Sequence, residues 1–191
     1  MTGIGFEGFA SVESVTVEIY TSAYRITGTI HTPFRRVAEI LNQLPSAHVT
    51  IEEASIVEHA ATGSTASAGT AHVAVDEILV MVAPGIAGQP RAEMRVQKEP
   101  VTAVLSMPPL RLAGTVHVPV GSRPIDGFLN VGERFVPMTD VRLTSAAHPE
   151  LDCDIPILAV RRDRAQVMVV TDGAGPAAET RPADEDAAAG P

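Results

Sequence analysis

A ten-residue phrase occurs twice in this chain of 191 residues. Tyr24-Arg25-Ile26-Thr27-Gly28-Thr29-Ile30-His31-Thr32-Pro33 lines up with Leu110-Arg111-Leu112-Ala113-Gly114-Thr115-Val116-His117-Val118-Pro119 at an offset of 86, and Arg, Gly, Thr, His and Pro are identical. The same offset pairs Val15, Val17 and Ile19 with Val101, Ala103 and Leu105. Ile40-Leu41-Asn42 matches Phe128-Leu129-Asn130 after a two-residue insertion in the second copy. Val49, Ile51 and Glu53-Ala54-Ser55-Ile56 then match Val136, Met138 and Asp140-Val141-Arg142-Leu143 at offset 87. Near the ends, Ala74-Val75 is set against Ala159-Val160, and Val80-Met81-Val82 against Val167-Met168-Val169. Several matching blocks in one order read as a tandem duplication, so the fold must be one that a unit of roughly 70 residues can complete twice.

The chain divides accordingly. Residues 1–11 form an N-terminal extension, 12–83 the first repeat, 84–97 a linker broken by Gly85, Gly88 and Pro90, and 98–170 the second repeat. Residues 171–191 are an acidic tail of Ala, Pro, Gly, Asp and Glu without apolar periodicity, which predicts disorder.

Within each copy the patterning predicts strands. Val15-Thr16-Val17-Glu18-Ile19 alternates with period two, and Tyr24 to Thr32 puts Tyr24, Ile26, Gly28 and Ile30 on one face and Arg25, Thr27, Thr29 and His31 on the other. A glycine inside a strand, Gly28 and its repeat equivalent Gly114, marks a bulge or a close backbone approach. Phe34 to Leu44 has helical spacing, whereas its counterpart Pro124 to Leu129 predicts a single turn. His48 to Ile56 reads as a third strand, followed by a Gly/Ser/Thr/Ala-rich loop over Ala60 to Ala71. A last strand pair follows in each copy, joined by the turns Asp76-Glu77 and Arg161 to Arg164. The predicted class is all-β with one or two short helices, as two duplicated small five-stranded barrel-like repeats in tandem. Aromatics supply only 4% of the residues and Trp none, so the cores must rest on Val, Ile, Leu and Ala.

These features together resemble the Sm-like (LSm-type) small β-barrels. Val-x-Val-x-Ile, a glycine-centred second strand, Leu-Asn and a final strand pair joined by a short charged turn carry the resemblance. Leu158-Ala159-Val160-Arg161-Arg162-Asp163-Arg164-Ala165-Gln166-Val167 looks like the family's second signature, and Asn130 falls near the Asn of its first. Gly121 to Asp140 is also similar to uncharacterised bacterial domains of unknown function. The resemblance implies a barrel fold for each repeat; a shared fold does not by itself transfer RNA binding.

Charge limits the partners. The net charge of -9 disfavours a general nucleic-acid or anionic-membrane binder. It divides unevenly: residues 1–90 carry 3 basic and 9 acidic groups, and residues 91–170 carry 10 and 9. An RNA or anion contact would therefore fall on the second repeat, with Arg161, Arg162, Arg164 and Asn130 as candidates, because arginine forks grip phosphate bidentately. The alternative for those arginines is a hairpin turn paired with Asp163 or another carboxylate. DNA and membranes are not expected partners. Met1 to Ala10 lacks a basic segment followed by an apolar run, and no apolar stretch is long enough to span a bilayer, so a cytoplasmic location is expected.

Catalytic motifs are missing: no glycine-rich phosphate loop, no Gly-x-Ser-x-Gly, no His-Glu-x-x-His and no Cys-x-x-Cys. The single Cys153 sits between two aspartates, which would raise rather than lower its pKa, and Asp152-Cys153-Asp154 reads as a loop before Pro156. His31 and His117 hold equivalent repeat positions and could share a metal or proton site, although outward strand histidines are usually plain polar-face residues. No cofactor, metal or catalytic residue is assigned. The expected function is a non-catalytic interaction or assembly module that self-associates or scaffolds a protein partner through strand edges. An RNA- or nucleotide-binding Sm-like protein using the arginine turn is the alternative, and a small-ligand regulatory domain the third.

Overall fold

The period-two segments become strands, and the duplication reappears in how they pair. The computed structural model describes residues 11–60, 64–86 and 97–171. The first half contains β1 (Glu13–Tyr20), β2 (Tyr24–Thr32), α1 (Val37–Asn42), β3 (His48–Glu58), β4 (Thr65–Ala74) and β5 (Val80–Val82). The second contains β6 (Lys98–Met107), β7 (Leu110–Pro119), α2 (Pro124–Phe128), β8 (Phe135–Thr144), β9 (Cys153–Arg161) and β10 (Val167–Val170). The described chain is therefore all-β with two short α-helices. Its strands run antiparallel to their neighbours in one ten-stranded sheet of order β10-β6-β7-β8-β9-β5-β1-β2-β3-β4. Each half thus orders its strands fifth, first, second, third, fourth, and the halves meet where β5 pairs with β9.

The two strand glycines have the same role. Thr27 pairs with Ser55 and Thr29 with Glu52, so β3 spends one extra residue opposite Gly28. Ala113 pairs with Arg142 and Thr115 with Thr139, the same bulge opposite Gly114. The extra residues, Glu53 and Asp140, sit at φ 51 and 53, in the left-handed region that one type of bulge uses. A Cβ at position 28 would lie 2.5 Å from Ile51 Cγ2 and 2.6 Å from the Glu52 carbonyl oxygen. The third strand of each half therefore bends directly over a backbone that has no side chain.

Two cores result. The first collects Val17, Ile19, Ile26, Ile30 and Ile51 with Ile40 and Leu41 of α1; the second collects Leu105, Leu112, Val116, Met138 and Leu158 with Phe128 of α2. The junction strands serve both. Val80 and Val160, cross-strand partners, face the second core, and their neighbours Met81 and Ala159 face the first. Burial on both faces explains why β5 and the residues flanking it, Ile78 to Ala83, form one unbroken apolar run.

Four expectations need correction. The predicted loop over Ala60 to Ala71 is largely strand: β4 begins at Thr65 and pairs with β3 from Thr65↔Val57 to Ala74↔His48. Its small polar side chains face solvent on a sheet edge, so no alternation announced it. Asp154 likewise belongs to β9, held across the ladder by Arg142 at 3.0 Å. The Phe34 to Leu44 stripe is helical only over Val37–Asn42, because Leu44 precedes Pro45 and that position disfavours the helical region. Finally, Val73 opposes Val49 as Val160 opposes Val136, so the repeat offset at the fourth strand is 87 and Ala74 corresponds to Arg161, not to Ala159. The predicted tail, apart from Thr171, lies outside the described residues, as do residues 1–10 of the extension and 87–96 of the linker. Among the described residues, no helix is long and apolar enough to cross a membrane.

Candidate functional site: the junction and its unpaired counterparts

The arginine turn singled out by sequence is tied to the rest of the chain, with Arg161 buried, Arg162 half-buried and Arg164 exposed. Arg161 ends β9 and is 6% exposed. Its Nε and Nη2 donate to the two carboxylate oxygens of Asp163 at 2.8 and 3.3 Å, and its Nη1 donates to the Val75 carbonyl at 3.0 Å. Asp76 lies 3.4 Å from the same Nη1 and also pairs with Arg134. Arg164 donates to the Asp76 carbonyl at 2.7 Å and stands 3.7 Å from Glu77. The acidic turn of the first half, Val75–Glu77, is thus gripped by three arginines of the second. This contact accounts for part of the uneven charge of the two halves. Hydrogen bonding from Arg134 holds the Asp76 carboxyl below its usual range, and hydrogen bonding from Arg161 does the same for Asp163.

Arg162 turns the other way. It donates to the carbonyls of Leu129, at 2.6 Å, and Glu133, and so fixes the segment that carries Asn130. Asn130 is exposed, and its Nδ2 donates to Asp126 at 3.0 Å. Its repeat equivalent is engaged very differently. Asn42, at the end of α1, donates through Nδ2 to the Phe135 carbonyl at 2.8 Å and accepts the Phe135 N–H through Oδ1 at 2.9 Å. A side-chain amide of the first half thereby completes both backbone hydrogen bonds of the first β8 residue in the second. Val37, on the same helix, is buried in the first core, to which Phe135 and Ala159 of the second half also belong.

Across the junction from the arginines, a cleft between the halves is lined by Glu18, Tyr20, Arg25, Pro84, Glu150 and Cys153. The Tyr20 hydroxyl donates to Glu18 at 2.7 Å, and Arg25 pairs with the same carboxylate. Burial pushes both the Tyr20 phenol and the Cys153 thiol upward, so neither is a ready nucleophile. Nearby, His59 is buried, with its Nε2 3.3 Å from the Thr21 carbonyl and its ring centroid 5.3 Å from that of His148. Burial lowers the His59 pKa, keeping that imidazole neutral.

His31 and His117 have separate partners. His31 lies between Ser14, at 3.1 Å, and Glu52, at 3.0 Å, whereas His117 meets Thr139 at 3.0 Å. Among the described residues, no group of three His, Cys, Asp or Glu side chains is placed to hold a metal ion.

Among the described residues, the outer ends of the sheet repeat the junction without its partner strand. By the structural offset, β10 corresponds to β5 and β4 to β9. Val80 and Val82 are 0% and 8% exposed at the junction, whereas their counterparts Val167 and Val169 are 53% and 49% exposed. The α2 counterpart of buried Val37 is Ile125, which is 51% exposed. Sequence reasoning missed Asn42, Ile125 and His59 as site residues. The repeated Leu-Asn was the one signal that could have found the first.

No family model matches the chain, and neither a curated protein nor a solved structure matches it.

Proposed function

We propose that the chain is a non-catalytic assembly module, two small barrel-like units resembling Sm-like barrels and fused in tandem, that joins other chains through the sheet edges left at its ends. The observation that carries this reading is the exposure of Val167 and Val169 on β10, where the equivalent valines of β5 are covered. An edge strand offers a row of unpaired backbone donors and acceptors, and natural edges are commonly blunted by charge or proline. The β10 sequence Val167-Met168-Val169-Val170 has neither. Such an edge suits strand addition, in which main-chain hydrogen bonds provide affinity and side-chain pockets provide specificity.

RNA binding through the arginine turn draws less support. Arg161, Arg162 and Arg164 are each satisfied by a carboxylate or a carbonyl of the chain itself, so a phosphate would have to displace those partners. Sedimentation velocity across the micromolar range tests the assembly reading. The wild type is expected to gain mass with concentration, and Val169→Lys to remove that gain while leaving the circular dichroism spectrum unchanged, because this side chain is already half in solvent. A wild type that stays monomeric at every concentration and retains no protein partner would overturn the reading.

A further inference from the structure

We propose that the cleft between the halves is a binding site for a small organic cation, an ammonium group carried on an apolar body. The cavity measures 690 Å³, within the ordinary range of small-molecule sites, and both halves line it. Val82, with Pro84 and Ile86 just beyond it, and Ile155 and Ile157 of the second half supply apolar lining. Its polar groups converge on the half-buried Glu18. That carboxylate accepts, through Oε1, from the buried Tyr20 hydroxyl at 2.7 Å and from Arg25, and Cys153 Sγ lies 3.9 Å from the same hydroxyl.

Charge selects the occupant. Glu18, Glu150, Asp152 and Asp154 line the cleft, and Arg25 is the one basic residue among the described residues lining it. Arg25 is already committed to Glu18, and Asp154 is paired with Arg142. Asp152 accepts the Ser145 N–H, which carries no charge, and Glu150 lies 3.5 Å from the His148 imidazole. The lining therefore stays net negative after its ion pairs are counted, so it repels a carboxylate or phosphate and attracts a cation. A cleft with low-dielectric walls focuses that field. Among the described residues no three His, Cys, Asp or Glu groups converge to hold a metal ion, which leaves an organic cation. Its ammonium brings three donors for carboxylate oxygens, and its hydrocarbon body gains from burial against the valine, proline and isoleucines.

The duplication shows that the fold does not require these polar groups. At offset 86, Val104 and Ser106 stand where Glu18 and Tyr20 do, although Arg111 keeps the place of Arg25. Ile56 opposes Ala66 as Leu143 opposes Cys153, so Thr65 and Ala66 stand where Asp152 and Cys153 do. The other copy of each strand thus folds without the polar lining, and these differences between the copies are gathered at one cleft. A ligand accounts for that gathering.

The test uses two probes that share an apolar body and carry opposite charges at neutral pH, phenethylamine and hydrocinnamate. Phenethylamine, as its ammonium, should bind one-to-one in titration calorimetry and raise the thermal unfolding midpoint saturably, as a ligand of the folded state does. Hydrocinnamate should do neither. Glu18→Gln keeps an oxygen acceptor for Tyr20 and Arg25 but removes the charge, and should weaken amine binding about tenfold. Glu150→Lys alters an exposed side chain of the same cleft, so the unliganded midpoint should stay unchanged while amine binding weakens by a similar factor. This second variant decides the matter should Glu18→Gln fail to fold. No response to the amine at millimolar concentration, an equal response to both probes, or unchanged amine affinity in both variants overturns the proposal. None of these outcomes bears on assembly, because the cleft lies at the junction and not at the sheet ends.

Discussion

Gly28→Ala is expected to lower the stability of the first half by about 3 kcal/mol, near the upper end for an overpacked core position. The new methyl group would meet Ile51 Cγ2 at 2.5 Å and the Glu52 carbonyl oxygen at 2.6 Å, both closer than real Cβ contacts come. Neither neighbour can yield cheaply. Ile51 is fully buried among the first-core side chains, and Glu52 is fixed by its pairing with Thr29. Relief requires the β3 bulge to move, and Glu53 is already in the left-handed region there. The expected loss corresponds to a fall of roughly 10 °C in the unfolding midpoint for a chain of this size. Gly114→Ala provides the internal comparison. Its Cβ would meet backbone and side-chain atoms of Thr139 and Val141 at 3.0 Å, so a shift of a few tenths of an ångström accommodates it and the cost should be smaller. Equal effects, or a negligible effect of Gly28→Ala, would contradict this account of the bulge. Thermal unfolding followed by circular dichroism provides the measurement.

Arg161→Ala should cost about 2 kcal/mol and loosen the two halves from one another. The guanidinium is buried and donates to the Val75 carbonyl of the other half, which also accepts the Ile78 N–H at 3.3 Å and would lose the shorter of its two hydrogen bonds. Full truncation of a buried ion pair costs more than this. Here both carboxylate partners, Asp163 and especially Asp76, remain exposed to water and can rehydrate, so the smaller figure applies. Arg161→Lys should recover only part of the loss, because an ammonium cannot reproduce the fork that spans both oxygens of Asp163. The pH dependence has a definite sign. Since Arg161 lowers the Asp163 carboxyl pKa in the folded chain, its contribution is fully present above the unfolded carboxyl value of about 4 and disappears as pH falls through the lower folded value. Urea unfolding of wild type and Arg161→Ala should therefore differ most at neutral pH, and the gap should narrow in strong acid to the part that the bond to the Val75 carbonyl contributes. A difference that persists unchanged into acid would assign the residue's contribution to packing rather than to charge.

Much of this architecture is legible in the sequence because strand burial writes period-two patterns. Val15, Val17 and Ile19 predicted β1, and the repeated Arg-x-x-Gly-Thr-x-His-x-Pro phrase predicted both the duplication and the close approach at Gly28 and Gly114. What stayed hidden was hidden for physical reasons. β4 lies on an edge, so its Thr, Ser, Ala and Gly side chains satisfy no core and show no period. The sequence left the arginine turn open between an anion contact and a hairpin paired with carboxylates, because it displays charge but not the groups that meet it from a segment 86 residues away, as Val75 meets Arg161. Asn42 could be seen as part of a repeated Leu-Asn, but its two bonds to Phe135 arise only when α1 of one half reaches β8 of the other. The repeat alignment itself slipped at the fourth strand, where Ala-Val dipeptides are too common to fix a register. The ladder, through Val49↔Val73 and Val136↔Val160, fixes it.

That register makes the assembly reading testable at a single pair of positions, because self-association through the sheet edges would set Val167 of β10 opposite Val73 of β4 in a second copy, as Val80 is set opposite Val160 at the junction. Two chains would be prepared with Cys153 replaced by serine, one carrying Val167→Cys and the other Val73→Cys, then mixed under mild oxidation. Cross-strand partners bring their Cβ atoms within about 5 Å, which suits a disulfide, whereas a slip of two residues does not. Head-to-tail pairing of β10 with β4 predicts a disulfide-linked heterodimer from this mixture, and little or none when Val73→Cys is replaced by Ala71→Cys. No heterodimer, or equal yields from both mixtures, would contradict it.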